Sequence, residues 1–186
     1  MSDLLKNIEN FQSQYYESNN KNTFFKNKQK IELAKEVSNS FSIDELINVT
    51  CYNVANTHRV IIDYNILKLY ANPDNYERII HHIVSVFTAT INTYGKFEVH
   101  MNLNTFTVTA AERHKKMVEL FCNVCMSNPN TSYSDSTDKF VIYYCSNSIN
   151  QIGNLFLCFV SPIVKDKIVL INKEESETLW ANAIKK

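Results

Sequence analysis

From residue 50 onward the chain switches repeatedly between two apolar periods, and this alternation limits its fold more than any other feature. "TCYNVA" (50–55) and "HRVIIDYNILKLY" (58–70) are rich in β-branched and aromatic residues and read as strands joined at "ANTH". "NPDNYERIIHHIVSVFTATINTYG" (72–95) carries the helical stripe Tyr76, Ile79, Ile80, Ile83, Phe87 and Ile91. Asn72 is placed to cap it, Pro73 suits its first turn and Gly95 supplies a stop. "KFEVHMNL" (96–103) reads as a strand, and Thr109 with Glu112 has the capping-box spacing for a helix running to about Met126. "SNPNTSYSDSTD" (127–138) reads as a polar surface loop. A strand at 139–145, a short helix near 149–161, a strand at 167–171 and a last helix follow, with Asn172 and Glu175 repeating the cap spacing. The order β, β, α, β, α, β, α, β, α predicts an α/β fold with a mixed, largely parallel sheet flanked by helices.

The first forty-nine residues follow a different rule. Leu4, Leu5, Ile8, Phe11, Tyr15 and Tyr16 recur at three- and four-residue spacing, and Phe24, Ile31, Ala34 and Val37 share a side of a second helix over about 23–38. Ser42 and Glu45 form a capping box that opens a short helix into Val49. Residues 1–49 are therefore expected to be an N-terminal helical extension packing on an α/β domain of 50–186.

Composition narrows the function. Lysine and arginine (19) balance aspartate and glutamate (19), which argues against a nucleic-acid partner. The basic clusters "KNKQK" (26–30) and "RHKKM" (113–117) read as solvated helix faces, allowing at most peripheral membrane contact. No apolar run approaches the ~20 residues needed to span a bilayer, and "MSDLLKNIENFQ" lacks the form of a signal peptide, so a cytoplasmic protein is expected. The five cysteines are odd in number and sit in or beside apolar runs, which suits buried, reduced thiols. Neither Gly95 nor Gly153 has a glycine neighbour, so no phosphate-binding loop and no cofactor is expected.

Each reactive-looking group has a plain packing role. Cys122 and Cys125 fall late in a helix among apolar neighbours, where they read as core. His81 and His82 point about 100° apart on a helix, and His81 meets His58, His100 or His114 only through tertiary contacts. Glu174, Glu175 and Glu177 open the last helix and favour its dipole. With no nucleophile elbow and no metal-ligand spacing, the chain is expected not to be an enzyme.

Three segments resemble the CRAL-TRIO family of lipid-binding domains. "NTHRVIIDYN" (56–65) is similar to that family's G-R-P-V-type strand, with Arg59 and Val60 retained. "FEVHMNLNTFTVTAAERHKKMVELF" (97–121) looks like its v-v-x-D-l-x-g strand, loop and helix, with Asn102 or the preceding Met101 near the aspartate and Asn104 or Thr105 near the glycine. "KFVIYYCSNSINQIGNLFLCFVSPIVKDKIVLI" (139–171) resembles its i-x-N-a-P strand, gate-region helix and K-I strand, with Asn147, Lys167 and Ile168 at the matching places.

The resemblance implies a non-catalytic module in which a helix covers an apolar cavity floored by the sheet. Its lipid-pocket candidates are Phe97, Val99, Met101, Val141 and Tyr143, beneath Leu155, Phe156 and Phe159. The partner would be a lipid or another hydrophobic ligand, or else a protein or a second copy. An alternative starts from two departures: no proline follows Asn147, and no L-P-x-x-x-G-G element follows the last strand. It is a structural or assembly protein, for example of a large DNA virus, that keeps the fold around a filled core.

Overall fold

The computed structural model describes residues 3–19, 21, 24–126, 132–145, 153 and 160–185. Helices α1 (Asp3–Asn19), α2 (Lys26–Ser40) and α3 (Ile43–Thr50) lead into strands β1 (Cys51–Asn53) and β2 (Arg59–Asp63). Helices α4 (Tyr64–Tyr70) and α5 (Tyr76–Tyr94) connect to β3 (Phe97–Asn102). Then come α6 (Val108–Met126), α7 (Tyr133–Ser136), β4 (Thr137–Cys145), α8 (Pro162–Lys165), β5 (Ile168–Asn172) and α9 (Lys173–Ala183). Among the described residues, the five strands form one sheet in the order β1-β2-β3-β4-β5. β1 runs antiparallel to β2, and the other pairs are parallel. The fold is α/β.

The parallel steps each move one place in the same direction, and right-handed crossovers from β2 to β3 and from β3 to β4 put α5 and α6 on one face. The register makes the two faces explicit. Val60, Val99, Phe140 and Ile168 lie side by side on the covered face, and Ile61, His100, Val141 and Val169 on the other. The main core forms on the first face, where Val60, Ile62, Phe97 and Val99 meet Tyr76, Ile79, Ile80, Ile83 and Phe87. Ile8, Leu33 and Val37 belong to the same buried cluster, so the N-terminal helices share this core.

Local hydrogen bonds correct several boundaries. The strand expected over 58–70 stops at Asp63, whose carboxylate accepts the Asn65 N–H at 2.8 Å and opens α4. Asn72 does not cap α5. Its Oδ1 accepts the Asp74 N–H at 3.0 Å and its amide donates to the Tyr70 carbonyl, forming a turn, and the helix starts at Tyr76. α6 opens two residues earlier than expected: Thr107, not Thr109, sits at its start, its hydroxyl accepting the Ala110 N–H. Residues 132–138 are not loop: they form α7 and the start of β4, with Tyr133 buried and its hydroxyl 2.9 Å from that of Thr88. The helix expected near 149–161 lies mostly outside the described residues. Ser42 and Asn172 do cap α3 and α9, accepting from the N–H groups of Glu45 and Glu175. Gly95 ends α5 in the left-handed region at φ 75°.

Candidate functional site

The sheet divides the expected pocket residues between its faces. Phe97, Val99 and Met101 lie on the covered face, where the Phe87 ring packs 4.5 Å from that of Phe97, centroid to centroid, and 6.0 Å from Phe121. Phe97 is 1% exposed. Val141 and Tyr143 lie on the opposite face, in a second cluster with Trp180 and Ala183 of α9. Strand alternation is the cause: with Val99 beside Phe140, Val141 must stand beside His100. Leu155, Phe156 and Phe159 lie outside the described residues. No single cavity is therefore lined by all five described candidates.

The second face holds a buried polar row. On β3, Glu98, His100 and Asn102 alternate with the apolar Phe97, Val99 and Met101. His100, 8% exposed, lies 2.8 Å from the Tyr143 hydroxyl through Nδ1 and 3.3 Å from Glu98 Oε2 through Nε2. Burial holds its pKa below the ordinary imidazole value against the opposing pull of Glu98. The His100 and Tyr143 rings stack, and Trp180 meets Tyr143 edge-on at 5.3 Å. Arg59, on the same face, donates to the carbonyls of Asn182, Ala183 and Lys185, capping the end of α9 over the sheet.

At the N-terminal ends of the strands the row reaches a bulge. Phe97 pairs with Thr137 but Glu98 pairs with Lys139, leaving Asp138 as the extra residue. A bulge re-aims the side chain it carries. Here Asp138 joins Glu98 and His58, whose Nε2 lies 3.6 Å from Glu98 Oε1 and 3.9 Å from Asp138 Oδ2. These three donor atoms lie within 4.8 Å of one another, a set able to hold a metal ion. Lys96 also reaches Asp138 Oδ2, at 2.8 Å.

The other singled-out groups scatter. His81 is exposed, His82 donates to the Cys51 carbonyl at 2.8 Å, and His114 pairs with the Tyr76 hydroxyl at 3.0 Å. Burial pushes the Cys125 thiol up to about 12, so it stays protonated and packs as core. Arg113 is not on a solvated face: it donates to Asn27, Tyr64 and His114, tying α6 to α2 and α4.

β5 forms one margin of the sheet. Among the described residues it pairs only with β4. Because Phe140 donates to the Lys167 carbonyl beside the Phe140–Ile168 pair, Val169 and Ile171 turn their amides toward β4. Ile168 and Leu170 direct theirs outward. Val169 is 40% exposed on one face and Leu170 48% on the other. Beyond the C-terminal end of β3, Thr105 adopts φ 64° and its hydroxyl accepts from Lys68 at 2.8 Å.

No protein-family model and no curated protein matches the chain. Among the described residues, no helix is long and apolar enough to cross a membrane.

Proposed function

We propose that the protein is a non-catalytic binding module, on a CRAL-TRIO-like scaffold with a self-filled core, that takes an extended segment of a partner protein as a further strand along β5. The β5 margin carries this reading. A strand paired on one side presents main-chain donors and acceptors that only another extended chain satisfies in register. Natural margins are commonly guarded by charge or proline, whereas "IVLI" (168–171) has neither and exposes an apolar side chain on each face. The CRAL-TRIO-like scaffold gains support from Thr105, which is left-handed and is one of the two residues, Asn104 and Thr105, that fall near the resembling motif's glycine. The filled core gains support from Phe87 and Phe121, which occupy the space over Phe97 that a lipid chain would need.

The test is selection of displayed random peptides on the wild-type protein and on Leu170→Pro. Proline removes an outward amide and spares the bonds to β4, so the variant should stay folded. The expected result is a consensus of alternating apolar residues that binds wild type and not the variant. Equal binding to both proteins overturns the reading.

A further inference from the structure

We infer that His58, Glu98 and Asp138 form a binding site for a divalent transition metal of the zinc class. The site sits at the N-terminal ends of β3 and β4 and uses side chains rather than the outward amides of β5, so it does not depend on the proposed function.

Three observations converge on it. First, the Nε2 atom of His58 is buried yet has no hydrogen-bond partner. Such an atom forfeits its hydration with nothing in return unless a cation or a proton bridges it to the carboxylates. Second, the spacing suits coordination. Zinc–ligand bonds of about 2.0–2.2 Å at tetrahedral angles place donors roughly 3.3–3.6 Å apart, and His58 Nε2 lies 3.6 Å from Glu98 and 3.9 Å from Asp138. Modest side-chain rotation closes the remainder. Third, Glu98 is already oriented from behind. Its Oε1 faces His58, and its Oε2 is engaged by His100, which is fixed in turn by Tyr143. Outer partners of this kind aim a carboxylate ligand and raise affinity.

The bulge gives the arrangement its form. Without the extra residue, Asp138 would alternate to the covered face, away from Glu98. One imidazole and two carboxylates suit zinc or a neighbouring first-row ion better than calcium or magnesium, which prefer all-oxygen shells. Three protein ligands leave a fourth position for water or an external donor. Lys96 opposes the cation, because its ammonium already holds Asp138 Oδ2. The site therefore assembles by exchanging an exposed ion pair for a metal bond.

The experiment is calorimetric titration of the full-length, chelator-treated protein with Zn2+, with thermal unfolding of each variant without metal. Wild type should bind one ion at this site and unfold at higher temperature with it. Asp138→Asn and Glu98→Gln should each weaken binding at least about tenfold. Lys96→Ala should tighten it, since the competing ammonium is gone. Asp138 sits on the surface, so its variant reports even if Glu98→Gln fails to fold. Replacing Cys122 and Cys125 by serine should leave the affinity unchanged. The inference is overturned if Zn2+ does not bind, if binding survives Asp138→Asn, or if it is lost with the cysteine pair.

Discussion

His114 shows how one side chain can set the acid limit of the fold. Arg113 Nε donates to its Nε2 at 3.3 Å, so Nδ1 carries the proton and donates to the Tyr76 hydroxyl. Burial first, and the Arg113 charge second, push its pKa down to about 4. The sign follows from linkage. Below an unfolded value of about 6.5 the unfolded chain takes up a proton that the native protein refuses, so stability falls with pH in that window and is unaffected above it. Between about pH 7.5 and pH 5 this residue should remove on the order of 2 kcal/mol. Urea unfolding at both values should show that loss in wild type and a flatter profile in His114→Gln. Gly95 makes a second case: a Cβ added there meets open space, so only its φ of 75° resists substitution. Gly95→Ala should therefore cost roughly 1–2 kcal/mol in the same assay.

At the scale of elements, α9 is held to the second face by Arg59 below and by Trp180 and Ser176 along its length. Arg59→Ala should fray its last turn and expose Trp180, seen as a red-shifted fluorescence and a stability loss of about 1–2 kcal/mol. Much of the element order was legible in the sequence, because long stripes such as Tyr76 to Ile91 fit only one period. The boundaries that failed share a cause: Asp63, Asn72 and Thr107 bond to nearby backbone N–H groups and override the propensity of their neighbours. The polar row was legible too. Strict alternation in "KFEVHMN" already puts Glu98, His100 and Asn102 on one face of β3. The convergence of His58 and Asp138 on Glu98 was not legible, since it requires the parallel register and the bulge, which no local spacing encodes. The division of the pocket candidates was hidden for the same reason, being fixed by the pairing of Val99 with Phe140.

At the scale of the whole molecule, the N-terminal helices are part of the core. Ile8, Leu33 and Val37 are buried in the cluster that contains Phe97 and Val99. Deleting residues 1–41 should therefore abolish cooperative unfolding rather than release a stable α/β domain, a result that circular-dichroism melting can check. Among the described residues, the fold has a filled interior on one face, a polar row covered by α9 on the other, and a margin at β5 that pairs only with β4. Residue-resolved amide exchange by NMR on the free protein reads the state of that margin most directly. The amides of Val169 and Ile171 should be protected by β4, while those of Ile168 and Leu170 exchange at rates typical of solvent-exposed chain. Equal protection at all four positions would mean that the chain already covers its own margin, and would contradict strand addition at β5.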